Sequence, residues 1–189
     1  MTHEEAMRAA ILEAERARGS TGDNPWVGSV LVCDGAVVAR GHTLGPGEDH
    51  AEIGALREAR ALGVDLSRST LYSTLEPCAF HGRTPACAKV IAESGVPRLV
   101  VGIRDPHPRV DGAGIAIVGA AGIEVLEDVC GPAIRHQLAP WILRDHRHEP
   151  LAFAATHDVD EVARRYGVEP ALAEALVSEA RARARDRSE

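Results

Sequence analysis

Apolar positions along the chain change period in a regular order, and the changes outline its elements. Thr2 with Glu5 forms a capping box, opening a helix that runs to about Arg18 with Ala6, Ala9, Ala10, Ala14 and Ala17 at apolar positions. Val27 to Cys33 reads as a buried strand, Asp34-Gly35 as a tight hairpin turn, and Ala36 to Arg40 as the returning strand. A helix begins near His50 and ends at Gly63, a residue suited to the position after a helix C-terminus. Thr70 to Leu75 is the next strand. Thr84 is expected to cap a helix that has Pro85 at its first position and closes at Gly95. Leu99 to Ile103 and Ile123 to Leu126 read as two further strands, with a short helix from Ile115 between them. Pro132 to about Arg147 reads as a helix. This order implies an α/β protein, a mixed five-stranded sheet with helices on both faces in three α-β-α layers.

The last forty residues have a different pattern. Asp158 with Glu161 is a second capping box, Gly167 ends that helix, and Pro170 opens another. Val159, Val162, Ala163 and Tyr166, then Leu172, Leu176 and Ala180, give each helix one apolar stripe. The expected organisation is a main domain over residues 1–149 and a C-terminal helical hairpin over residues 150–189. A helix-turn-helix DNA reader is the competing interpretation. Residues 151–189 carry eight acids against six arginines, which favours a packing or oligomerisation hairpin.

Composition narrows the function classes. The 189 residues suffice for one domain and a short appendage, and 45% hydrophobic with 3% aromatic content implies an aliphatic core. A net charge of −7 provides no basic field for a nucleic-acid backbone, so tRNA or single-stranded DNA editing is disfavoured. Thr2 to Arg18 is charged and amphipathic, unlike a signal peptide, and no segment approaches the ~20 apolar residues of a membrane span. Four cysteines, two of them in a metal-like pattern, argue for a reducing cytoplasm over a disulfide framework.

That pattern is His50-Ala51-Glu52, followed by Pro77-Cys78 and, after eight intervening residues, Cys87. One imidazole and two thiols suit Zn2+, which keeps a fourth position for water when three protein groups hold it. Glu52 is then placed to carry protons as a general acid/base without binding the metal. A histidine and two cysteines also occur without metal, and that reading suits Cys33 in its apolar run and Cys130. For the trio, Glu52 and Pro77 favour the catalytic set. A purely structural zinc would want a fourth ligand, and His81 could supply one, but its Gly-Arg-Thr-Pro loop better suits a small ligand. His50 and Glu52 fall at the start of one helix and the two cysteines around the start of another, where helix dipoles favour negative charge.

The chain resembles the pyrimidine deaminase of riboflavin biosynthesis, a branch of the cytidine-deaminase-like superfamily. The segments that carry the resemblance are Asn24-Pro25-Trp26-Val27-Gly28, His50-Ala51-Glu52, Thr74-Leu75-Glu76-Pro77-Cys78, Gly82-Arg83-Thr84-Pro85-Ala86-Cys87, Asp105-Pro106 and Ala121-Gly122-Ile123-Glu124-Val125. It implies the cytidine-deaminase-like fold and hydrolytic loss of an amino group from a diaminopyrimidinone ribosyl phosphate. It makes His50, Cys78 and Cys87 the zinc ligands and Glu52 the proton carrier. It turns Asn24 toward the base, Arg83 and Thr84 toward the ribosyl phosphate, and Asp105 toward the polar edge of the pocket. Asn24 is also a natural turn residue before Pro25, and Arg83 alone would read as a solvated charge.

Departures from the family pattern cluster around the substrate. Ala79-Phe80-His81 replaces a more polar run after Cys78, Thr43 stands where the family has a histidine, and His107 stands where it has an asparagine. His42, one residue before Thr43, is expected to face the opposite side of the sheet. Phe80 and His81 therefore join the candidate substrate contacts. Bifunctional relatives continue into a reductase domain, so a separate reductase is an expected partner, together with a homodimer. The leading reading is a zinc aminohydrolase of an aminopyrimidine nucleotide. The rivals are a paralogue acting on another heterocycle in a specialised pathway, and a non-catalytic zinc-bearing subunit of a reductase. Glu52 argues against the subunit, since a scaffold has no use for a proton carrier beside the metal.

Overall fold

The computed structural model describes residues 1–82 and 84–186. Five strands, β1 (Gly28–Cys33), β2 (Ala36–His42), β3 (Ser69–Leu75), β4 (Arg98–Ile103) and β5 (Glu124–Leu126), form one sheet in the order β2-β1-β3-β4-β5. β1 is antiparallel to both β2 and β3, while β3–β4 and β4–β5 are parallel, so the sheet is mixed as its sequence predicts.

Neighbouring residues of β2 show how the helices α1 (His3–Glu15) and α2 (Ala51–Ala61) take opposite faces. His42 Nδ1 lies 2.8 Å from Glu13 Oε1 of α1, on the side expected from its offset to Thr43. Gly41 faces the other way, and a Cβ there would lie 2.1 Å from the Ala51 carbonyl of α2. That close approach explains the glycine. Leu31, Leu71, Leu99 and Val101 of the sheet bury themselves with Ala55 and Leu56 of α2 and with two shorter helices, α3 (Cys87–Ala92) and α4 (Ala113–Ala120). The result is a three-layer α-β-α arrangement around a mixed sheet, with an aliphatic core.

Local signals set several boundaries. The Thr2–Glu5 capping box is formed, with Thr2 N donating to Glu5 Oε2 at 2.7 Å and Glu5 N donating to Thr2 Oγ1 at 3.2 Å. α3 differs from expectation. It begins at Cys87, its N-cap is Ala86, and Thr84 does not cap it. Its first amides instead reach back to Cys78, as described below.

The chain divides into two compact units, Met1–Gly131 and Pro132–Glu189. The second unit holds the helices α5 (Gly131–Asp145), α6 (His148–Ala154), α7 (Val159–Tyr166) and α8 (Pro170–Asp186). Only two residues separate α5 from α6, and Arg147 between them pairs with Glu179 of α8 at 2.7 Å. α7 carries the expected Asp158–Glu161 capping box and ends at Gly167 in the left-handed region, after which α8 begins at Pro170. Tyr166 is fully buried, and its hydroxyl donates to Glu149 Oε2 at 2.6 Å. Among the described residues, no helix is long and apolar enough to cross a membrane.

Candidate active site

Strands β3 and β4 are parallel neighbours, with Leu75 opposite Ile103 at their carboxyl ends. Ligands in open α/β sheets bind beyond such ends. Here Glu76-Pro77-Cys78 leaves β3, and Asp105 follows β4. His50 is the N-cap residue of α2, so Glu52 lies in that helix's first turn.

These elements bring His50, Cys78 and Cys87 together. One ligand atom from each lies within 4.8 Å of the others. His50 Nδ1 is 3.7 Å from Cys78 Sγ and 3.3 Å from Cys87 Sγ. The backbone amide of Cys87 donates to Cys78 Sγ at 3.2 Å, and that of Ala88 donates to the Cys78 carbonyl at 3.2 Å. The sulfur and carbonyl of one residue thus take the N-terminal amides of α3, the role expected of Thr84.

The electrostatics suit a metal. A hydrogen bond from the Cys87 thiol, with others from His50 and the Cys87 amide, lowers the Cys78 thiol to about 4. The same sulfur–sulfur hydrogen bond, then burial, pushes the Cys87 thiol up. The bond to Cys78 also raises His50. One imidazole and two sulfurs this close form a donor set that fits zinc. His81 is exposed and is not part of the group.

Glu52 is 3% exposed. Burial pushes its carboxyl up to about 7, with His50 opposing the shift. Burial likewise pushes Asp105 up to about 7, against the stabilising amide of His107, which donates to Asp105 Oδ1 at 2.8 Å. A proton carrier working near neutrality wants such a value.

A cleft of about 300 Å³ opens above the ligands, lined by Asn24, His50, Cys78, Phe80 and Thr84 together with Asp23, Pro46, Gly47 and Gly82. Asn24 is held by a local turn, in which Thr21 Oγ1 donates to the Asn24 carbonyl at 2.7 Å. The turn and the cleft position of Asn24 coexist. Asp105 is buried and is not among the cleft's lining residues. Arg83 lies outside the described residues. Asp23, Pro46 and Gly47 line the cleft without having been expected there; the Gly45-Pro46-Gly47 turn just before His50 was the available signal.

Glu76 is the clearest omission. It is 2% exposed, and its carboxylate accepts from the amides of Asp105, Gly112, Gly114 and Ile115 at 2.9–3.3 Å. One side chain thereby fixes the segment after β4 and the start of α4 against the cysteine-bearing turn. Its place directly before Pro77-Cys78 was the only hint in the sequence.

The chain is similar to several known proteins. Residues 1–103 match the family described as the cytidine and deoxycytidylate deaminase zinc-binding region. The chain is similar to the riboflavin biosynthesis protein RibD of Escherichia coli (strain K12), 44% identical over 125 residues that cover 66% of this chain and 33% of that protein. RibD of Aquifex aeolicus is 38% identical over 155 residues, covering 80% of this chain and 43% of its own length. The chain thus spans a third to about two fifths of these relatives. Among solved structures, a diaminohydroxyphosphoribosylaminopyrimidine deaminase/5-amino-6-(5-phosphoribosylamino)uracil reductase from Thermotoga maritima superposes with a TM-score of 0.71. It is 38% identical, and the match covers 77% of this chain and 41% of that one. With its His-Cys-Cys donor set, buried glutamate and mixed sheet, the chain belongs to the family of the cytidine and deoxycytidylate deaminase zinc-binding region.

Proposed function

We propose that this chain is a zinc-dependent aminohydrolase of an aminopyrimidine nucleotide, and that its reaction is the deamination of diaminohydroxyphosphoribosylaminopyrimidine in riboflavin biosynthesis. The observation that carries the reading is Glu52, buried, near pH 7 in its titration, and two residues from a metal ligand at the foot of a cleft. The similarity to RibD proteins supports the substrate.

Zinc, when held by His50, Cys78 and Cys87, supplies a Lewis acid that makes water a nucleophile near neutral pH. Glu52 takes the proton released by the attacking water and passes it to a ring nitrogen, then takes the second proton from the hydroxyl now on the ring carbon and delivers it to the departing amine as the carbonyl forms. Its elevated pKa lets it both accept and return a proton without a large energetic step. Asn24 offers a donor and an acceptor to the edge of the base. Asp105, whose carboxyl burial pushes up to about 7, would hold the polar edge of the pocket through the His107 amide it accepts from. Thr84, and by resemblance Arg83, would meet the ribosyl phosphate. The first compact unit would carry this chemistry, in the cytoplasm, as a homodimer whose product passes to a separate reductase.

The test is ammonia release by purified, zinc-loaded protein from a panel of diaminopyrimidine nucleotides and nucleosides. Release from the riboflavin-pathway nucleotide, abolished in Glu52→Gln, is expected. Release from a different heterocycle only would assign the chain to a paralogous pathway. Release from none would leave the role of a non-catalytic subunit.

A further inference from the structure

A phosphate monoester carries about −1.5 to −2 charge near neutral pH. The chain that would admit it has a net charge of −7. Its overall field opposes such a substrate, so a local cation must offset that field at the cleft.

Among the described residues, Arg109 is positioned for this. Phe80 lines the cleft beside His50 and Cys78. The Arg109 guanidinium lies over the Phe80 ring, 4.0 Å from its centroid. Arg109 is exposed, and among the described residues no carboxylate pairs with it. Its backbone is firmly placed. The Arg109 amide donates to His107 Nδ1 at 3.1 Å, and the His107 amide donates to Asp105 Oδ1. Glu76 accepts from Asp105 and Gly112, at the two ends of this segment. The His107 ring also stands 5.6 Å from that of Phe80.

A guanidinium held over a ring has lost part of its freedom, while N–H donors that do not face the ring stay available. That fork matches two phosphate oxygens. We propose that Arg109, seated on Phe80, recognises the phosphate of the substrate at the mouth of the cleft, with Phe80 as its positioning residue. The inference rests on the nucleotide reading above and adds a group to it. It also links the Phe80 and His107 departures, because the Phe80 ring lies under the guanidinium and His107 Nδ1 accepts from the Arg109 amide.

The experiment uses the zinc-loaded full chain, with ribose 5-phosphate as the probe and ribose as its neutral control, followed by calorimetry. Wild type should bind ribose 5-phosphate, and Arg109→Leu should weaken it at least tenfold while retaining zinc. Arg109→Lys should recover part of the loss. Phe80→Leu should weaken binding similarly, and adding it to Arg109→Leu should cause little further loss, because both changes remove one interaction. In turnover, the ratio of kcat/KM for nucleotide over nucleoside should fall in Arg109→Leu, through KM. Ribose 5-phosphate affinity within twofold of wild type in Arg109→Leu would overturn the proposal, as would no binding by wild type. Intact phosphate binding without ammonia release would instead overturn the proposed reaction alone.

Discussion

The Cys87 amide donates to the Cys78 sulfur at 3.2 Å, so one thiol of the metal group caps the helix that carries the other. Metal site and helix start are therefore one structure. A ligand that is also a cap is fixed before any metal arrives, which lowers the cost of assembling the site.

About one zinc per chain is expected, and Cys87→Ser should lose most of it by elemental analysis. Cys78→Ala should lose the metal too, and should also remove the cap from α3. Urea unfolding in the presence of a chelator should then show zinc-free Cys78→Ala less stable than zinc-free wild type by about 1 kcal/mol. Full zinc occupancy in Cys87→Ser would refute the ligand assignment.

Glu52→Gln preserves size and can still hydrogen-bond, but it cannot carry a proton. Fold and zinc content should survive, while turnover should fall by a factor on the order of 10² or more. The change should appear in kcat more than in KM, because proton transfer belongs to the chemical step. A wild-type rate in this variant would remove Glu52 from the mechanism.

What was legible in the sequence was local. The two capping boxes, the His50–Glu52 spacing and the apolar runs of the strands each depend on residues a few positions apart, and each is formed. What was not legible depends on distant partners. α3 begins at Cys87 because its acceptor, Cys78, lies nine residues back, a relation invisible to local capping rules. Glu76 looked like one more residue before Pro77, yet it binds amides up to 39 residues away. The high pKa of Asp105 comes first from burial, which only the folded chain reveals. The Arg147–Glu179 pair, which ties the segment before α6 to α8, likewise joins residues 32 positions apart that no local pattern couples.

The junction at Glu76 makes a sharp packing prediction. A Cβ on Gly114 would lie 1.9 Å from the Pro77 carbonyl oxygen and 3.2 Å from Glu76 Oε1. Gly114→Ala must push the start of α4 away from the turn that carries Cys78. A loss of about 1–3 kcal/mol in unfolding free energy is expected from such overpacking. Zinc affinity should fall with it, since Cys78 lies next to the displaced carbonyl. Wild-type stability together with wild-type zinc affinity would show that the turn yields without strain.

Asp105 gives the pH dependence a definite sign. Burial raises its carboxyl from 3.8 to about 7 in the folded protein. Between those values the folded chain keeps a proton that the unfolded chain has released. Stability should therefore fall as pH rises from about 4 to about 7 and level off above that, the opposite of a salt-bridged carboxylate. Asp105→Asn remains neutral at every pH, and its side-chain oxygen can still accept from the His107 amide, so the variant should lose this part of the slope. The difference should reach a magnitude on the order of 2–4 kcal/mol at pH 8, where the wild-type carboxylate is charged and buried. Thermal unfolding of both proteins from pH 5 to 8, in chelator so that zinc release adds no opposing trend, measures it directly. Parallel curves for the two proteins would mean that Asp105 is ionised in the folded state without penalty, and that its environment is wetter than its burial indicates.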